Sequence, residues 1–303
     1  MRDEEKAKEI FQSYNNNRND NLEIIVCDLG KCVNDPNQQS ILRNSIQGVD
    51  AIISVSGTLR FSKLSDFFPP WKIFNHDVSS WCDDTSHPYY TNYKAQCFII
   101  DVASEQGQQE EDSKVPKFIR LTGLSTGYST FNLFTLIFSS LLSLSSRYHF
   151  LCEEYLRSQS RVPYVILRPG GLADEERNDV SKTYIQVDPS GYIPPPGRIP
   201  RSDVATLAVE ACDESIIPYE SRYTLGVQAV GEMKPKPQGD IKNGFASVKE
   251  CLLNVVQTTP SESVSKEMKD KPYGIAVISF VYSLAAIGFG AFYQLIQFIA
   301  SRF

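Results

Sequence analysis

The sequence predicts an α/β fold, a doubly wound parallel sheet, with a transmembrane helix at its C-terminal end. Three observations carry that expectation. Apolar runs of strand length alternate with helical patterns between residues 22 and 227. These runs end in Asp, Ser, Thr or Gly, as strands do where a parallel sheet offers its C-terminal edge to a ligand. Residues 273–301 carry no charged side chain.

Residues 22–27 (LEIIVC) are the first expected strand, ending at Asp28. A helix over 34–46 starts at Asp35-Pro36, because Asp caps free amides and Pro suits a first turn. Residues 51–55 (AIISV) form the next strand, running into Ser56-Gly57-Thr58. A long aromatic loop, 60–90, holds both Trp residues. A helical pattern over 93–106 leads to strand 117–121 (KFIRL), which ends at Thr122-Gly123. Residues 121–146 are uncharged but rich in Ser and Thr, so they read as a loop and helix lying on the core. Contact with a membrane surface is the alternative for that stretch. A helix over 148–158, a strand over 164–167 ending in Arg168-Pro169-Gly170-Gly171, a helix over 203–212 and a strand over 222–227 follow. The expected organisation is a domain over 1–232, a helix and polar linker over 233–272, and a span over 273–301.

Composition narrows the function. The chain has 303 residues, 42% of them hydrophobic and 22% charged, which excludes a disordered protein. A net charge of −6 leaves no basic excess to hold a phosphate backbone, so nucleic acid is not an expected partner. The only His residues are His76, His87 and His149, too few for a metal site built on His. Seven Cys without a Cys-x-x-Cys pair indicate reduced thiols, not a disulfide framework or structural zinc. The opening MRDEEKAKEI is too charged for a secretory signal. As a helix, residues 274–300 would reach about 40 Å, against a hydrocarbon core of about 30 Å. Lys266, Lys269 and Lys271 precede this run and Arg302 follows it. That bias predicts a single-pass C-terminal membrane anchor with the N-terminal domain facing the cytosol.

The strand ends read, in order, CDL, SVSGT, RLTGLS and LRPGGL, with EEYLRS before the last and RIPRSDVATLAVEA after it. In this order they resemble the atypical short-chain dehydrogenases/reductases, more narrowly the NmrA-like NAD(P)-binding proteins, over most of the chain before the apolar end. The resemblance implies a Rossmann-like sheet that binds NADP or NAD at its strand ends. It implies that Arg2 faces the adenosine 2′-phosphate, where a guanidinium favours NADP. It places Asp28 and Leu29 beside the adenine, and Val55, Ser56 and Gly57 along the ribose and pyrophosphate. Thr122 and Gly123 would lie near the nicotinamide, with Arg168, Pro169 and Gly170 closing over it. Structural roles compete with these: a helix cap for Asp28, turns for Gly57 and Gly123, and an ion pair from Arg168 to Glu153 or Glu154.

Two departures from the family pattern stand out. The family opens on a strand, a GxxGxxG turn, a helix and a second strand, whereas residues 2–7 here resemble the segment after that second strand. The sheet is therefore expected to be N-terminally incomplete. A late start at an internal Met is favoured over lost cofactor binding, because a sheet without its central strand exposes apolar neighbours. The second departure concerns the Ser-Tyr-Lys set, whose Lys lowers the Tyr pKa. Tyr148 stands in the Tyr position and Thr122 or Ser125 in that of the Ser, but Cys152 occupies the Lys position. His149 reads as a packed or solvated residue, and Tyr90-x-x-x-Lys94 precedes the strand it should follow. The expected function is a membrane-anchored NAD(P)-binding protein with altered or absent hydride transfer. One alternative is an inactive scaffold or redox sensor that binds a protein partner through loop 60–90. Another is a reductase that acts on a hydrophobic substrate through an unconventional acid.

Overall fold

Alternating strand residues divide the core into two layers, one on each face of a single sheet. In β2 (Lys117–Leu121), Phe118 joins one layer and Ile119 the other. In β3 (Tyr164–Pro169), Tyr164 and Ile166 join the first layer, Val165 and Leu167 the second. That period of two, with both faces buried, is the mark of a sheet wrapped by helices on either side. The computed structural model describes Glu5 and residues 23–285, except 59, 68, 70, 75–76, 107–113, 175–182, 195–196, 232–243, 246, 266–267 and 270.

The remaining strands are β1 (Ala51–Ser54), β4 (Gly171–Ala173), β5 (Thr183–Asp188), β6 (Arg198–Pro200), β7 (Arg222–Gly231) and β8 (Gly244–Phe245). The sheet order is β1-β2-β3-β7-β5-β8; the first four run parallel, while β5 is antiparallel to both β7 and β8. β4 and β6 form a short parallel pair beside β7. The first core layer packs under α1 (Pro36–Ser45), α2 (Ala95–Gln106) and the later turns of an inner helix, α4 (Ser145–Ser158). The second lies under α5 (Arg201–Glu210) and α6 (Val248–Thr258). Between α2 and α4 in sequence comes α3 (Leu133–Leu141). As expected, Asp35 caps α1, accepting from the Asn37 amide at 2.9 Å, with Pro36 in the first turn.

Three expectations are corrected. Residues 23–28 hold no strand. Among the described residues β1 is the sheet edge, and residues 23–28 do not pair with it, so the strand composition of this run goes without a ladder. Ile53 and Val55 on that edge are exposed. The expected transmembrane helix, and the single-pass membrane localisation drawn from it, are not upheld: among the described residues no helix is long and apolar enough to cross a membrane. Residues 273–285, here α7, are helical, and Tyr273, Ala276 and Val277 at their start are buried against the domain. Val277 packs with Phe67, Ile73, Val78, Tyr89 and Tyr148. An uncharged apolar run declares that a face wants burial; it does not name the medium, and here the aromatic loop provides it. Residues 286–301 lie outside the described residues.

The polar segment after α6 is also more than a spacer. Ser265 N donates to the Arg157 carbonyl at 3.1 Å, Tyr164 donates to Glu262 at 2.8 Å, and Lys271 Nζ donates to the carbonyls of Thr126 and Tyr128 at 2.6 and 3.1 Å. The segment is a strap across α4 that fastens the loop after β2.

Docking of α7 makes a specific prediction. Val277→Asp would place a carboxylate among Tyr89, Tyr148 and Ile73 and should destabilise the whole domain by about 3 kcal/mol, read as a lower urea midpoint. An unchanged midpoint would show that α7 stands away from the domain.

Candidate functional site

The parallel pairing of β1, β2 and β3 brings their C-terminal ends side by side. Over the ends of β2 and β3 lies a cavity of about 450 Å³. Thr122, Gly123, Leu124 and Ser125 line it from the β2 turn, and Pro169, Gly170, Gly171 and Leu172 from the β3 turn. Ser145, Ser146 and His149 enter from α4, while Phe134 and Phe138 of α3 close the side. The volume is that of a small-molecule site.

Two buried polar networks hold this edge in shape. The first centres on Arg120, a fully buried cation within β2. Its guanidinium donates to Ser54 Oγ at 2.9 Å and the Ser56 carbonyl at 2.8 Å, which ties down the chain leaving β1. It also meets His149 Nδ1 at 3.2 Å. Arg120 and the Asn92 amide nitrogen both only donate, and a neutral ring accepts at one nitrogen; the charged donor favours Nδ1 as the bare one, with the proton on Nε2. On the other side of the ring, Asn92 Nδ2 sits 3.2 Å from Nε2. The Asn92 oxygen is committed to the Thr58 amide at 2.8 Å and the Thr91 hydroxyl at 3.0 Å, and its nitrogen donates to Ser145 Oγ at 3.0 Å. The imidazole therefore stands between two donors, and its Nε2–H faces another N–H rather than an acceptor. Burial, then the Arg120 charge, pushes His149 down to about 3, so the ring is neutral at physiological pH. A π-helical turn, Tyr89–Lys94, carries Asn92 into this position.

The second network centres on Glu153, four residues beyond His149 on the same face of α4. Arg168 of β3 holds the carboxylate with two hydrogen bonds, one of them Nε–Oε1 at 3.1 Å and the other Nη2–Oε2. Thr122 donates to it at 2.6 Å, Thr126 at 3.0 Å, and Arg157 adds a contact at 3.3 Å. Burial alone would raise this carboxyl; the two guanidinium charges and these hydrogen bonds hold it down at about 2.

The residues expected from sequence divide into groups. Thr122, Gly123, Ser125, Pro169 and Gly170 line the cavity. Ser56 and Gly57 adjoin it; a Cβ on Gly57 would lie 3.4 Å from the His149 ring, an ordinary van der Waals contact, so packing alone does not demand the glycine. Gly170 owes its identity to packing, since a Cβ there would lie 2.4 Å from the Gly197 carbonyl. Val55 is exposed on the β1 edge. Arg168 is engaged by Glu153 and the Gly191 carbonyl, not aimed at open space. Asp28 accepts from the Gly30 amide at 3.0 Å, closing a turn, and Leu29 packs on the layer beneath α1; neither lines the cavity. Tyr148 points the other way, into an aromatic cluster with His87 and Tyr89, where burial raises its hydroxyl far above the ordinary value. Arg2 lies outside the described residues. Sequence reasoning passed over Arg120, Asn92 and the place of His149 at the cavity. The signals were a charge inside a buried strand and the four-residue spacing of Ser145, His149 and Glu153.

A model of NAD(P)H-binding domains matches residues 2–215. The chain belongs to this NAD(P)H-binding family. A nicotinamide dinucleotide is the cofactor the family implies. The strand-end turns suit close approach by such a group: Gly123 lines the cavity with no side chain, and a Cβ there would meet only Ser125 Oγ, at 3.9 Å. Among solved structures, a putative NAD-dependent epimerase/dehydratase from Bacillus halodurans is 16% identical, with 86% of each chain covered and a TM-score of 0.48. An oxidoreductase from Lactococcus lactis is 16% identical over 72% of this chain and 73% of its own, at a TM-score of 0.40. A short-chain dehydrogenase/reductase from Veillonella parvula is 17% identical over 67% and 72%, at 0.37. Likeness of this size says nothing of activity. A search of curated proteins finds no match.

The Glu153 network predicts a pH signature. A depressed carboxyl stabilises the fold fully above its unfolded value near 4.5 and loses that contribution as pH falls toward about 2. Glu153→Gln should cost ~3–5 kcal/mol at neutral pH, because it strands Arg168, and should flatten the acid slope of stability between these limits. A retained slope in urea unfolding measured against pH would assign it to other carboxyls.

Proposed function

We propose that this NAD(P)H-binding protein reduces a carbonyl compound in the cavity over β2 and β3, with neutral His149 as the hydrogen-bond donor to the carbonyl oxygen. The observation that carries the reading is the place of the His149 ring, between two donors at the cavity wall. Arg120 favours a bare Nδ1, Asn92 turns an N–H toward Nε2, and among the described residues no acceptor takes the Nε2 proton. A fixed neutral imidazole donor stabilises charge developing on a carbonyl oxygen without first losing a proton. Ser56, Gly57, Thr122, Gly123, Pro169 and Gly170 would hold the nicotinamide half. When bound, the reduced nicotinamide supplies the hydride. Ser145, whose Oγ already accepts from Asn92, keeps its own O–H as a donor one turn before His149 and would relay to the product oxygen a proton taken up from solvent, which restores the serine.

This reading replaces Tyr148 with His149 and makes Arg168 a positioning residue acting through Glu153. Preference for NADP over NAD rests on Arg2, through the resemblance of its sequence setting.

Fluorescence titration should therefore show tighter binding of NADPH than of NADH, with Arg2→Ala equalising the two. With a panel of aldehydes and ketones, His149→Phe should lower the rate of NADPH consumption by about 10²–10³ while leaving NADPH affinity within about twofold. Tyr148→Phe should leave turnover within about twofold. Because His149 stays neutral, the rate should show no acidic limb near pH 6.5. Unchanged turnover in His149→Phe would overturn the role; NADPH binding without consumption of any carbonyl would favour the inactive scaffold.

A further inference from the structure

α3 is built inside out. Its Thr135 and Ser139 are fully buried, and their hydroxyl oxygens have no partner among the described residues. Leu133, Ile137 and Leu141 face outward and are exposed. A helix on a watery surface ordinarily buries its large apolar side chains and exposes its hydroxyls. Here the reverse arrangement costs desolvated hydroxyls on one side and exposed hydrocarbon on the other.

Phe134 and Phe138 connect this outer face to the cavity. Both line it, both are more than a third exposed, and their ring centroids lie 4.4 Å apart. The interior wall continues in Leu124, Leu142 and Leu172, and Leu172 is itself exposed at the rim. Thr122, Ser125, Ser145, Ser146 and His149 supply polar groups from the β2 turn and α4, and Arg198 of β6 adds a charged side chain. One apolar path thus runs from the surface of α3 past two Phe rings to a polar end.

We infer that the cavity takes an amphipathic molecule with a long hydrocarbon chain, the chain lying along Phe134 and Phe138 and the single polar head at His149. Which chemistry that head undergoes rests on the function proposed above; the recognition of the chain does not. α3 is then the wall over which the chain enters, and its outward Leu and Ile residues extend the same apolar surface.

The test uses the full chain and simple alcohols, which bind without being reduced by NADPH. Calorimetric titration with hexanol, octanol and decanol should show affinity rising about threefold to fourfold for each methylene buried. Phe138→Gln, at a half-exposed position, should flatten that dependence, while Ile137→Gln, on the outer face only, should leave it intact. Affinity independent of chain length would overturn the inference. So would equal losses in both variants, which would mark α3 as a generally adhesive surface. NADPH titrated separately distinguishes the two readings: failure of NADPH to bind would sink the proposed reductase and leave the chain-length result standing or falling by itself.

Discussion

The ion pair between Glu153 and Arg168 is the contact on which the site depends. It joins α4 to the end of β3, and through Thr122 and Thr126 it also fixes the loop after β2. Removing two ions from water is costly, and the pair is favourable only because nearly every lone pair of the carboxylate has a donor. The result is rigid placement: the cavity floor is held by a group that never meets a ligand. Arg157 extends the same charge network to Glu154 and Glu262, which brings the strap after α6 into register.

Arg120 does for β1 what Arg168 does for β3. A cation inside a sheet is tolerable when it is surrounded by acceptors, and the Ser54 hydroxyl, the Ser54 and Ser56 carbonyls and His149 supply them. The same bonds favour the proton on His149 Nε2. Gln96 reinforces the arrangement by accepting from Ser54 Oγ at 2.5 Å and donating to Ser56 Oγ at 2.8 Å. Local chemistry at the cavity is therefore decided by a strand residue one layer below it.

The sheet core was legible because KFIRL and YVIL are short, apolar and flanked by turn residues, and the resemblance rested on those same strand ends. The three-residue strands β4 and β6 were not, since so few residues carry no readable period. LEIIVC has strand composition but lacks a partner, and pairing is a tertiary fact. Tyr148 and His149 illustrate the limit within the site. Adjacent residues on a helix point about 100° apart, so one enters the aromatic core and the other the cavity. An uncertainty of one position in the helix register exchanges a core residue for one at the cavity. The uncharged segment from 273 onward misled for a related reason: apolar composition looks the same against lipid and against Tyr89.

Lys271 carries a consequence for the order of assembly. Its ammonium, pulled down to about 8 by burial and the nearby Arg168 charge, closes on carbonyls of the β2 turn from 145 residues away in sequence. Contacts between such remote segments form late, because a long loop must be closed before they are rewarded. During synthesis the sheet and both core layers can be complete while the wall of the cavity is still unfastened. The nascent protein thus passes through a stage in which its fold is recognisable and its site is not yet made, and a segment synthesised 145 residues after the β2 turn sets the wall.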